Sequence, residues 1–341
     1  MRIPSLLLLA GLVLYGCAPV VSASSLPSQQ ASQVTPSTTA SAVPSPTLTA
    51  SSTPSPSPTV LPTPTSPVRT GCQAGAESCL LDWPFPFHAP IFSPGNIVPD
   101  PTYRYGSTQD GAREPHHGID LPNAFGTPVY AAGDGTVIVA GSDKETPVSP
   151  WRNFYGNVVV IQHQVPGIGE PVYTLYGHLS KVDVSTGQIV SMGEKIGEVG
   201  LSGVAVGSHL HFEVRVGEND YAPSRNPELW LQPGGGETPR NPAILAVRVA
   251  RVDGTLVPTL LNVEYFSDPS QAEPTQSFPV EAYQRREKYP VNPDDVLGEN
   301  FVLGNLPAGH YRVTFVYWGT LYERWIDLAP GKLTYVPFEV P

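Results

Sequence analysis

Apolar residues in this chain fall in short runs of strand length, and no useful stretch repeats at the 3.6-residue spacing of an amphipathic helix. Thr127 to Ala140 (TPVYAAGDGTVIVA) reads as two short strands broken at Gly133-Asp134-Gly135, a tight-turn signal. Asn157 to Gln164 (NVVVIQHQ) and Pro171 to Tyr176 (PVYTLY) are predicted strands joined by a glycine-bearing loop. Ile189-Val190, Lys195-Ile196 and Glu198-Val199 alternate with Gly193, Gly197 and Gly200, which predicts short strands that turn often. After Pro233-Gly234-Gly235-Gly236 the pattern resumes at Ala243 to Val252 and Leu260 to Tyr265, then runs from Asn300 to Val340. The prediction is an all-β chain with two folded units, residues 80–235 and 236–341.

The N-terminal part follows other rules. Arg2 precedes an apolar segment, Ser5 to Tyr15, of signal-peptide length. It ends in Leu14-Tyr15-Gly16-Cys17, which resembles the bacterial lipobox, so residues 1–17 are expected to be a signal peptide with lipidation at Cys17. The expected location is extracytoplasmic, with the lipid anchoring the chain to the cell membrane. A plain secretory signal is the alternative. Residues 18–79 form the expected linker. Of the 49 residues from Ser22 to Thr70, 33 are Ser, Thr or Pro, and Arg69 carries the only charge. Such a stretch cannot bury enough apolar surface to offset its ordering entropy, and proline keeps it extended at up to ~3 Å per residue. Cys72 and Cys79 flank a six-residue loop. Outside the cytoplasm a nearby pair of this kind is expected to close a disulfide. No apolar run reaches the roughly 18 residues needed to span a bilayer.

Charge narrows the partners. The chain carries 19 Lys+Arg against 30 Asp+Glu, a formal net charge of −11. That balance argues against binding nucleic acid, whose phosphates need basic neutralisation.

The histidines bring in chemistry. In His116-His117-Gly118-Ile119-Asp120, strand geometry places His116 and Asp120 on one face and His117 on the other. In His209-Leu210-His211-Phe212-Glu213 the two histidines share a face. His178 lies between them, in Leu175-Tyr176-Gly177-His178-Leu179-Ser180. Two histidines and one aspartate can form a three-ligand zinc site that leaves a position for water. A single HxH on a strand usually means nothing. Three such segments in order, in an exported β-rich unit, are harder to dismiss.

These segments, with FGTPVYAAGDGTV, YGNVVVIQH and VSTGQIVSMGEKIGEVGLSG, make the stretch from about Tyr103 to Trp230 resemble the lysostaphin/LytM-type zinc endopeptidases that cut bacterial cell-wall peptides. The resemblance implies a β-sheet half-barrel with one Zn2+, held by His116, Asp120 and His211. It also implies that His178 and His209 are catalytic without binding the metal. His209 is the expected general base, while His178 would donate to the oxyanion or orient the attacking water. His163 matches a structural histidine, and His117 matches no required position. Asp143 to Phe154 is an insertion expected to rim the cleft, and Tyr176, Arg104 and Tyr105 are expected to line it. The expected substrates are peptidoglycan peptides.

Two other readings bear on the same residues. The glycine-spaced region also resembles lipoyl-carrier-like half-barrels, which do not need five metal-competent side chains. A non-catalytic relative that activates another wall hydrolase would usually have lost one of the five positions, and none is lost here. The second unit resembles transthyretin-like β-sandwiches. In it His310 is expected to be an ordinary surface or strand residue, and Tyr317, Trp318, Tyr322 and Trp325 are expected to pack in the core or across strands, with stacking on sugar rings as the alternative.

Overall fold

The structure is a computed structural model that describes residues 71–73, 75–236, 242–283 and 287–341. The expected signal peptide, the lipidation at Cys17 and the Ser/Thr/Pro spacer lie outside the described residues. All described residues belong to one unit, 62–341. Among them there is no α-helix, and none of the helices is long and apolar enough to cross a membrane.

Seventeen strands follow in chain order: β1 (Cys79–Leu81), β2 (Ile119–Pro122), β3 (Pro128–Tyr130), β4 (Gly135–Ser142), β5 (Asn157–His163) and β6 (Val172–Val182). Then come β7 (Ile189–Val190), β8 (Lys195–Val199), β9 (His209–Val216), β10 (Ser224–Arg225), β11 (Ala243–Arg251) and β12 (Leu260–Phe266). The last are β13 (Gln276–Glu281), β14 (Phe301–Leu306), β15 (Gly309–Tyr317), β16 (Thr320–Leu328) and β17 (Leu333–Val340). β2 to β10 make a nine-stranded antiparallel sheet whose main path is β10-β9-β6-β5-β4-β7. The break between β3 and β4 spans Ala131–Asp134, close to the predicted Gly133-Asp134-Gly135, but the two strands do not pair as a hairpin: β3 pairs with β8, and β4 with β5 and β7. β6 runs past its predicted end at Tyr176, because His178 takes a left-handed backbone (φ 61) and a register shift at Leu179–Lys181 bends the strand onto β8.

The C-terminal strands form two four-stranded sheets, β1-β17-β11-β14 and β13-β12-β15-β16. Leu245, Val247 and Val249 of β11 face the second sheet together with Phe301, Phe338 and Val340. The intervening Ile244 and Ala246 join a core with Leu229, Trp230 and the strands of the nine-stranded sheet. β11 is therefore apolar on both faces, which is why AILAV reads as a continuous hydrophobic run rather than an alternation. β1, from the region before the nine-stranded sheet, pairs with β17 and so joins the C-terminal sheet. Cys72 and Cys79 are joined in a disulfide with a Cα–Cα distance of 5.7 Å at the entrance to β1.

Further contacts weld the sheets. Trp83 Nε1 donates to Leu229 O at 2.9 Å. Arg104 pairs with the buried Glu228 at 2.9 Å, and Glu228 also accepts from Gly304 N at 2.6 Å. Of the four aromatics expected to pack, Tyr317 and Tyr322 pack against the core, Tyr322 stacking on Phe315 at 4.9 Å. Trp325, though 46% exposed, packs across strands on Phe266 at 5.1 Å, whereas Trp318, 77% exposed, stacks on Tyr317 at 5.0 Å. Trp318 sits in the β15–β16 turn and Trp325 on the outward face of β16, where it stacks on His310 at 5.1 Å. His310 accordingly has a strand setting, with Asp327 2.8 Å from its Nδ1.

Candidate metal centre and active site

β2 and β9 pair antiparallel, with Asp120 opposite His211 and Pro122 opposite His209. The carboxylate of one strand therefore meets the imidazole of its neighbour, as directly opposed residues on one sheet face do. His116 precedes β2; its Nδ1 donates to Tyr103 O at 2.8 Å and its ring stacks on Tyr103. Asp120 Oδ1 lies 2.9 Å from His211 Nδ1 and 3.2 Å from His116 Nε2, and the two ring nitrogens are 3.2 Å apart. One donor atom from each of the three falls within 4.8 Å of the others. Gly118 permits this approach, since a Cβ there would stand 2.4 Å from Phe212 O and 2.9 Å from the His211 ring.

Two imidazole nitrogens and one carboxylate oxygen, crowded on one face, suit Zn2+ in charge, ligand type and number. Burial works to raise the Asp120 carboxyl, but His116 and His211 outweigh it and hold the group well below the usual carboxylate range. It is an anion at any pH where a metal would compete for it.

A second layer lies beneath. His211 Nε2 meets the fully buried Glu213 at 3.0 Å, leaving Nδ1 toward Asp120. Glu213 also accepts a short hydrogen bond from Tyr155 Oη and a 2.7 Å bond from Arg215 Nε. Burial lowers the His211 pKa, but hydrogen bonds with Asp120 and Glu213 more than reverse this and raise it to about 9. A carboxylate on the far nitrogen fixes the tautomer and orientation of a ligating imidazole. The only trace of Glu213 in the sequence is its place two residues beyond His211, on the same strand face.

His178 and His209 stand beside the cluster, their rings 4.8 Å apart. His178 Nδ1 is 2.8 Å from Ser202 O, and His209 Nδ1 is 3.0 Å from Gly207 O. A carbonyl only accepts, so each Nδ1 carries the proton and each Nε2 of the neutral ring is an acceptor. Burial, followed by the neighbouring His211 and His209, lowers the His178 pKa to about 3. Burial likewise lowers that of His209, whose Nε2 is 3.5 Å from Asp120 Oδ1. Both rings are neutral bases at pH 7.

The five residues open into a cavity of about 430 Å³. Its walls include Trp151 and Phe154, so the 143–154 insertion does rim the cleft. Three expected lining residues do not reach it. Tyr176 is fully buried, its Oη bonded to Ala132 N and Thr174 Oγ1. Tyr105 is buried against Tyr283, and the guanidinium of Arg104 is turned to Glu228. Pairing with partners distant in the chain draws all three inward. His117 is buried against Tyr221, with Nδ1 donating to Tyr221 O at 2.8 Å, and takes no part in the cluster. His163 bridges Asp134 O and Thr174 Oγ1 at 2.8 Å each, a structural setting.

Residues 114–223 match Peptidase family M23. The chain carries an M23 peptidase domain. All five site residues lie within the matched range. The M23 domain is 42% identical over 102 residues to peptidoglycan DD-endopeptidase ShyA of Vibrio cholerae, covering 30% of this chain and 20% of that protein. It is 39% identical over 101 residues to the DD-carboxypeptidase/endopeptidase Mpg of Neisseria gonorrhoeae, covering 30% of this chain and 20% of that one. Among solved structures, the catalytic domain of the antimicrobial peptidase lysostaphin from Staphylococcus simulans is similar at 29% identity and a TM-score of 0.29, over 39% of this chain and 85% of that one. The chain spans about a fifth of the length of the curated relatives it matches.

Proposed function

We propose that this chain is a zinc-dependent endopeptidase that hydrolyses peptide bonds in peptidoglycan cross-bridges or stem peptides. One observation carries the reading: within the M23 domain, His116, Asp120 and His211 converge at hydrogen-bond distances beside two neutral histidines that face the same cleft. His116, Asp120 and His211 would hold the metal, and bound Zn2+ acidifies water and polarises a carbonyl. His209 offers an unprotonated Nε2 to accept a proton from the attacking water. His178, held as the same tautomer by Ser202 O, suits orientation of that water. Donation to the oxyanion would require it to be protonated first. Glu213 keeps His211 turned toward Asp120.

Cys17 is proposed to anchor the chain extracytoplasmically to the cell membrane, with the Ser/Thr/Pro segment as spacer. With 8 Lys+Arg against 16 Asp+Glu in residues 80–235, the domain has no excess of basic groups to attract anionic wall polymers. Tethering would supply the local concentration instead. The test is digestion of purified walls of several cross-link chemistries, with and without a zinc chelator, and identification of the fragments by mass. New peptide termini that vanish with chelation and return with Zn2+ are expected. Chelator-insensitive cleavage would overturn the metal-dependent reading.

A further inference from the structure

The cleft wall nearest the insertion is held from outside the M23 domain. Tyr289, in the β13–β14 connection of the C-terminal sheets, packs its ring 4.7 Å from Trp151 and 5.9 Å from Tyr221. Trp151 in turn stands 5.2 Å from Phe154 and edge-on to Tyr221 at 5.5 Å. Trp151, Phe154 and Tyr221 all line the cavity that holds the histidine cluster.

The connection carrying Tyr289 is pinned to the M23 domain. Asn292 Nδ2 donates to Ala222 O at 2.7 Å, its backbone N–H donates to Tyr105 Oη at 3.0 Å, and Asp295 pairs with Arg225 at 3.0 Å. Val204 and Val206 also line the cavity while 67% and 80% exposed. Val204 N donates to Phe154 O at 2.9 Å, so the two segments are linked. Large apolar side chains left this exposed along a cleft mark a surface that a ligand covers.

We propose that Tyr289 is a positioning residue for substrate selection: it fixes Trp151 as the platform of an apolar subsite, completed by Phe154, Val204 and Val206, that takes an uncharged stretch of a cell-wall peptide. The inference rests on the endopeptidase reading for the identity of the ligand. An aromatic contact of this kind contributes modestly, and loss of Tyr289 removes one of three aromatic neighbours of Trp151, loosening it without touching the histidines. The effect therefore falls on binding and not on turnover.

The test uses the full chain and a purified cross-linked disaccharide-peptide dimer. It measures KM and kcat with zinc bound, and Kd by calorimetry on zinc-free protein. Tyr289→Ala is expected to raise KM and Kd about five- to tenfold with kcat within about twofold. Tyr289→Phe should match the wild type, since stacking does not need the hydroxyl. Trp151→Ala should weaken binding at least as much, and adding Tyr289→Ala to it should cost nothing further. Unchanged KM and Kd in Tyr289→Ala, with only a lower melting temperature, would overturn the proposal, as would additive losses in the double variant. A wild type that binds the dimer without cleaving it, and binds more weakly as Tyr289→Ala, would overturn the endopeptidase reading and leave this one standing. A wild type that binds no dimer would overturn both.

Discussion

Single buried groups set the chemistry of this domain. His163 shows it apart from the cluster of His116, Asp120 and His211. Burial lowers its pKa to about 4, while hydrogen bonds to Asp134 O and Thr174 fix the neutral ring. Between pH 4 and the unfolded value of about 6.5 the unfolded chain binds more protons, so the group's contribution is complete above pH 6.5 and is lost as pH falls toward 4. The full difference is about 3 kcal/mol. Urea unfolding of wild type and His163→Asn at pH 7 and pH 4.5 is expected to show a smaller acid-side loss in the variant. Equal losses would place the acid sensitivity elsewhere. The same rule makes His178 and His209 bases at neutral pH; the resemblance singled them out in the sequence, but their tautomers depend on the carbonyls of Ser202 and Gly207.

At the scale of elements, one strand does most of the assembly. β9 presents His209, His211, Glu213 and Arg215 on a single face by its two-residue period, while Leu210, Phe212 and Val214 enter the core. That alternation was legible in HLHFEV; His116 lies before β2, so the strand period expected for HHGID does not set its place, which comes instead from Tyr103 and the close approach at Gly118. The role of Glu213 was not legible, because it depends on Tyr155, 58 residues away, and on the buried Arg215. Glu213→Gln should lower zinc affinity about 10- to 100-fold through loss of the carboxylate on His211. It should also destabilise the fold by ~3–5 kcal/mol by leaving the Arg215 guanidinium buried and unpaired. Chelator competition and thermal melts would measure the two effects separately. Unaltered zinc affinity would mean that Gly118 and the strand register suffice to orient His211.

The extra length of β6 was illegible for a different reason. The apolar alternation weakens at Gly177-His178, where the backbone enters the left-handed region and the register shifts. Side-chain patterns do not report such a bend. Tyr176, Arg104 and Tyr105 were misplaced because their partners lie 44, 124 and 119 residues away.

Across the whole molecule, the C-terminal sheets and the M23 domain share a core. Ile244, Ala246, Val302, Leu333 and Tyr335 pack with Leu229, Trp230 and the nine-stranded sheet. The signal was present in β11, whose unbroken apolar run demanded two buried faces. Ile244→Ala is expected to cost about 2–5 kcal/mol and to lower a single, common unfolding transition. Calorimetry resolving two transitions, with only the later-melting or only the earlier-melting one shifted, would show that the sheets unfold independently. Tyr289 packs on a separate cluster with Trp151, Phe154 and Tyr221, which is how a residue outside the M23 domain reaches the wall of the cleft.

The central claim, that this molecule cleaves wall peptides through a zinc site with His209 as base, is tested most directly by comparing wild type with His209→Ala. Both are assayed on purified cross-linked muropeptides, with the zinc content of each protein measured. Each should carry about one zinc, because His209 is outside the three-residue cluster, and the variant should release peptide about 10²–10⁴-fold more slowly. Wild type that carries zinc yet releases no peptide from any cross-link chemistry would contradict the account and favour a non-catalytic activator of another hydrolase.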